Sequence, residues 1–75
     1  MFLKIVTRPN KEDVIDFYEC DNVVYMPLEV NEDNPEEETS ISIKRDTKVL
    51  EMRFVKPSTQ VYLMNNNGKT IERFQ

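Results

Sequence analysis

Ser40-Ile41-Ser42-Ile43-Lys44-Arg45-Asp46-Thr47-Lys48-Val49-Leu50-Glu51-Met52-Arg53-Phe54 alternates apolar and polar side chains on both sides of one turn-prone break. Centring a turn on Asp46-Thr47 sets Ile43 opposite Leu50 and Ile41 opposite Met52. Ile41, Ile43, Leu50, Met52 and Phe54 then share one face and are expected to be buried. Ser40, Ser42, Lys44, Glu51 and Arg53 share the other and are expected to face water. A period-two split of this kind is what an antiparallel pair with one covered face requires. Thr47 is β-branched and resists φ > 0, which predicts a longer loop from Arg45 to Lys48 rather than a two-residue turn.

A second hairpin lies downstream. Val61-Tyr62-Leu63-Met64 and Lys69-Thr70-Ile71-Glu72-Arg73-Phe74 flank Asn65-Asn66-Asn67-Gly68, and Asn-Gly between β-prone runs is a strong hairpin signal because both residues tolerate φ > 0. A two-residue loop at Asn67-Gly68 or a four-residue loop from Asn65 to Gly68 gives the same parity. Tyr62, Met64, Ile71 and Arg73 fall on one face, and Val61, Leu63, Glu72 and Phe74 on the other. Both faces carry apolar groups, so both are expected to be at least partly covered. Pro57-Ser58-Thr59 separates the two hairpins.

The first half reads as strands over Phe2–Thr7, Val14–Cys20 and Val23–Val30, with breaks at Arg8-Pro9-Asn10 and Asp21-Asn22. The competing reading is one short helix near residues 10–20, capped by Asn10 and Asp13 with Val14, Ile15 and Tyr18 facing inward. Val, Ile, Phe and Tyr dominate the stretch and favour strands. Pro27 places the strand from Val23 at a sheet edge or on a bulge. The fold expected is all-β: a small antiparallel meander of five to seven short strands rolled into a barrel or sandwich. Seventy-five residues make one small domain, since a chain this short buries only about 60–65% of its unfolded surface and has no room for a deep cleft.

Charge is unevenly distributed within the net −4. Residues 29–38 hold six acids and no base, and residues 39–75 hold seven bases and three acids. Asn31 to Glu38 has no apolar residue except Pro35 and reads as a mobile acidic loop. Its Glu32, Asp33, Glu36, Glu37 and Glu38, with Tyr62 and Arg73 on the C-terminal hairpin, are the candidate partner-binding residues.

The residue types missing from the chain bound its chemistry. With no histidine there is no Ser-His or Cys-His nucleophile and no His-containing zinc site. One cysteine excludes an internal disulfide, and Tyr18-Glu19-Cys20-Asp21 surrounds the thiol with acids that disfavour a thiolate. Cys20 is expected to be a structural, reduced residue in a cytoplasmic protein. The N-terminal run is interrupted by Lys4 and lacks the apolar core of a signal peptide, and no stretch approaches a membrane span. Gly68-Lys69-Thr70 resembles the end of a phosphate-binding loop, but the position where the first glycine belongs holds Leu63. The acidic run fails the calcium-loop pattern, having Glu36 sixth and Ser42 twelfth from Asn31. No catalytic residue, cofactor or metal site is expected.

The chain is therefore read as a non-enzymatic protein-interaction module, a modulator or accessory subunit of a larger complex, with a homodimer as a further arrangement. Its size and lack of catalytic residues suit an accessory protein of a phage or mobile element. Nucleic-acid binding by a small β-barrel is the alternative. It would use Lys44, Arg45, Lys48, Arg53, Lys56, Lys69 and Arg73 with Tyr62, against an acidic net charge that opposes it. A structural homo-oligomer is the third reading.

Overall fold

The computed structural model describes residues 1–8, 11–33 and 35–75. The expected turn at Pro9-Asn10 and the Asn10 cap lie outside the described residues, as does Asn34 of the acidic loop. Among the described residues seven strands form: β1 (Phe2–Thr7), β2 (Val14–Glu19), β3 (Asn22–Pro27), β4 (Glu38–Arg45), β5 (Lys48–Val55), β6 (Thr59–Met64) and β7 (Thr70–Arg73). They make a four-stranded sheet in the order β2-β1-β6-β7 and a three-stranded sheet in the order β3-β4-β5, with every pair antiparallel. The helix near residues 10–20 is replaced by β2, whose Val, Ile, Phe and Tyr gain a strand partner in β1. No α-helix occurs among the described residues, and none is long and apolar enough to cross a membrane.

The chain changes sheets twice. Cys20-Asp21 turns β2 into β3, and a one-turn 3-10 helix at Lys56–Ser58 turns β5 into β6. β6 then pairs with β1 rather than continuing beside β5, with Leu3 opposite Leu63 and Ile5 opposite Val61. Leu3, Ile5, Cys20, Ile41, Ile43 and Val61 form the buried cluster shared by the two sheets. Tyr18, Val23, Tyr25, Met52, Phe54, Leu63 and Phe74 pack around it. Pro27 lies in β3, at the edge of the three-stranded sheet, where its missing N–H costs no ladder bond.

The β4–β5 register is the expected one, Ile43 opposite Leu50 and Ile41 opposite Met52. Its turn is shorter than the four-residue loop expected from Arg45 to Lys48, because Arg45 and Lys48 themselves pair. Only Asp46 takes positive φ, at 54°, so the β-branched Thr47 is not forced into that region. Asp21 steadies the bend: its N–H donates to the Lys44 carbonyl at 2.7 Å and its Oδ2 accepts the Asp46 N–H at 2.8 Å. Burial along this hairpin departs from the expectation. Ile41 and Ile43 are buried, Met52 and Phe54 are half-buried, and Leu50 is 46% exposed. Ser40 and Ser42 are half-buried rather than exposed, being on the central strand of their sheet.

The C-terminal hairpin reaches the expected parity by another route. Its loop is neither two nor four residues long: Asn65 N–H donates to the Lys69 carbonyl at 2.9 Å, leaving Asn66–Gly68 as a three-residue loop. Gly68 takes φ = 81° there, the left-handed conformation this loop type needs after its first turn. Asn65 Oδ1 accepts the N–H groups of Asn67 and Lys69, both at 3.0 Å. A three-residue loop shifts the pairing by one. The irregularity between Leu63 and Met64 inserts Ile71 as an extra residue and shifts it back. Tyr62 therefore faces Arg73 on one side, while Leu63 and Phe74 turn toward the core.

Candidate functional site

A sandwich of two open sheets has two seams, and here they differ. At the β3/β7 side, Tyr25 and Phe74 stack with ring centroids 5.0 Å apart. Gln75 fills the remaining gap: its Oε1 accepts from Tyr25 Oη at 2.7 Å and Thr39 Oγ1 at 3.0 Å. Its Nε2 donates to the Thr59 carbonyl at 2.7 Å and, more weakly, to that of Lys56 at 3.4 Å. One amide thus ties both sheets and the 3-10 turn together. The hydroxyl of the buried Thr39 and the main-chain carbonyl of the buried Thr59 both find a partner in it.

The β2/β5 side is open. A cleft of about 440 Å³ lies there, lined by Phe17, Tyr18, Glu19, Ile43, Arg45, Lys48, Val49 and Leu50. The Glu19–Arg45 ion pair at 3.0 Å bridges the sheets at one end. Leu50 lies opposite the buried Ile43, so its side chain points toward the interior, yet nothing from β2 covers it. Val14 is on the interior side of β2, opposite Thr7, and is 43% exposed. Val14, Ile15, Phe17, Val49 and Leu50, five of the ten exposed large apolar residues among those described, belong to these two edge strands. Among the described residues, β2 has no strand beside it other than β1, and β5 none other than β4. Edge strands with exposed apolar side chains are templates for pairing.

The outer face of the four-stranded sheet carries the second feature. The register places Phe2, Lys4, Phe17, Tyr62, Met64 and Arg73 on it. Lys4 Nζ and Arg73 Cζ sit 5.6 and 5.3 Å from the Tyr62 ring centroid, within the range of a cation–π attraction. A cavity of about 220 Å³ beside them is lined by Phe2, Phe17, Met64, Asn65, Asn66 and Gly68. Of the candidate residues, Tyr62 and Arg73 are thus brought together. Glu32, Asp33, Glu36 and Glu37 stand exposed in the β3–β4 connection. Glu38 departs from the loop assignment: it is the first residue of β4, half-buried, and opposite Val55. The Glu37 and Glu38 carbonyls accept the Lys56 and Leu28 N–H groups, so the downstream end of the acidic segment is tied to the sheet.

The seven C-terminal cations are dispersed. Lys44 and Arg53 lie on the outer face of the three-stranded sheet, Arg45 and Lys48 at its hairpin turn, Lys56 on the 3-10 turn, and Lys69 and Arg73 on the last hairpin. Cys20 is buried at the β2–β3 corner, its N–H donating to the Met1 carbonyl at 2.9 Å. Burial raises its thiol pKa, Asp21 and Glu19 add to the rise, and the N-terminal ammonium and a backbone hydrogen bond from Leu3 oppose it. Such a thiol is a poor nucleophile at neutral pH. Sequence reading missed Lys4, Phe17 and Leu50 as surface features, because their exposure depends on which strand pairs with which. No protein-family model, curated protein or solved structure matches the chain significantly.

Proposed function

We propose that the protein is a non-enzymatic interaction module that receives a protein strand at the open β2/β5 seam. One observation carries this reading: Leu50, turned toward the interior by its register, is 46% exposed where the two sheets part. An inward-facing leucine left in water forfeits part of the roughly 1.5–3 kcal/mol its burial supplies, and an added strand recovers it. The edges of β2 and β5 offer main-chain hydrogen bonds, and the cleft between them offers room for alternate side chains, the two requirements of strand addition. The acidic β3–β4 connection acts on the encounter rate with a basic partner rather than forming the contact.

The test is affinity capture from the native host with the parent protein and the folded variants Phe17→Lys and Leu50→Asp. Proteins held by the parent should be lost from both variants, with far-ultraviolet circular dichroism unchanged. Equal recovery by all three would overturn the assignment of the seam.

A further inference from the structure

Resting on the reading of the β2/β5 seam as a strand-accepting site, we infer that its occupant is the seam of a second copy of this chain. In the resulting dimer each β2 pairs with the partner's β5. The two edges are oppositely charged. β2 carries Asp16 and Glu19 and no base. β5 carries Lys48 and Arg53 against the single acid Glu51. Among the described residues the ion pairs are Arg8–Asp13 and Glu19–Arg45, so Asp16 and Lys48 are left without an opposite charge. Both are on the interior side of their strands, since Asp16 lies opposite Ile5 and Lys48 is two residues from Leu50.

An acidic edge and a basic edge that flank one opening are complementary to their own image about a two-fold axis. Rotation sets β2 beside β5 of the partner and β5 beside β2 of the partner at the same time. The other symmetric choices oppose like charges, Asp16 and Glu19 against their copies or Lys48 and Arg53 against theirs, which is unfavourable across a strand pair. The crossed arrangement also removes both exposed edges at once. It covers the exposed apolar residues on the interior side, Val14 of β2 and Leu50 of β5, and sets the outer-face Ile15, Phe17 and Val49 beside a neighbouring strand.

The test is a charge swap followed by sedimentation and light scattering. Parent protein should be dimeric in the range of about 10–100 μM. Asp16→Lys cancels the negative charge of the β2 edge and Lys48→Glu reverses the base on the β5 edge, so each variant alone should associate at least about tenfold more weakly, a factor corresponding to about 1.4 kcal/mol. Mixed one to one, the two variants should restore association, because the β2 edge that gained a lysine then pairs with the β5 edge that gained a glutamate. Restoration also establishes that both variants are folded. Amide exchange in the parent should slow in β2 and β5 as concentration rises. A strict monomer at 100 μM, or a dimer indifferent to both substitutions, would overturn the crossed dimer. Loss of captured host proteins from Phe17→Lys in a strictly monomeric protein would overturn the second copy as occupant and leave the seam itself standing.

Discussion

Gln75→Ala removes the amide that closes the β3/β7 seam. Four contacts go with it: Tyr25 Oη and Thr39 Oγ1 lose their acceptor, the Thr59 carbonyl loses the Gln75 amide, and the Lys56 carbonyl loses it too but keeps the Thr59 N–H. The four do not count equally. Tyr25 is half-buried and Lys56 exposed, so water replaces Gln75 at both with little loss. Thr39 has no exposed surface and Thr59 is 5% exposed. A buried polar group deprived of its partner costs about 1–3 kcal/mol. Allowing for relaxation of the seam, the substitution should cost about 2–4 kcal/mol. A protein of 75 residues has roughly 4–11 kcal/mol of total stability, so the melting temperature should fall by about 10–25 °C. Urea unfolding followed by tyrosine fluorescence measures the change. The double variant Thr39→Ala with Gln75→Ala separates the hydrogen bond from lost packing. If the bond carries the effect, Thr39→Ala should cost at least about 0.5 kcal/mol less in the Gln75→Ala background than in the parent. A Gln75→Ala protein within about 0.5 kcal/mol of the parent, or additive energies in the cycle, would refute the reasoning.

Two further outcomes follow from burial and charge. Ile41→Ala should cost about 2–5 kcal/mol because the side chain is fully buried, whereas Leu50→Ala, measured at a concentration where the protein is monomeric, should cost about 1 kcal/mol or less. Equal costs for the two in urea titrations would contradict the open seam. Burial raises Cys20 above its usual 9.0 and Tyr25 above its usual 10.0. For groups that are neutral when protonated, the unfolded chain ionises first, so their stabilising contribution is whole below about pH 9 and declines as pH rises through the folded values. Unfolding midpoints between about pH 8 and 11 should decline less steeply in Cys20→Ala than in the parent, and parallel slopes would exclude the thiol as a cause.

Alternation within Ser40–Phe54 was enough to determine the β4–β5 register, because a slip of one residue would turn Ile41 and Ile43 to water. The all-β class was equally legible, since Val, Ile, Phe and Tyr outnumber helix formers where the alternative helix would lie. Local sequence did not determine how the C-terminal hairpin attains its parity. Asn65 and Gly68 favour a three-residue loop, and only the demand that Phe74 face the core and Arg73 face Tyr62 explains the extra residue at Ile71. Nor did pattern alone reveal that β6 joins β1, a contact between residues about 55 positions apart whose closure entropy no local signal encodes. Tertiary structure likewise decided the exposure of Leu50. Its inward direction comes from the register, but whether a second sheet covers it depends on where β2 ends up. β2 lies at the rim of its sheet and β5 at the rim of the other, so the seam between them stays open while Gln75 closes the opposite one.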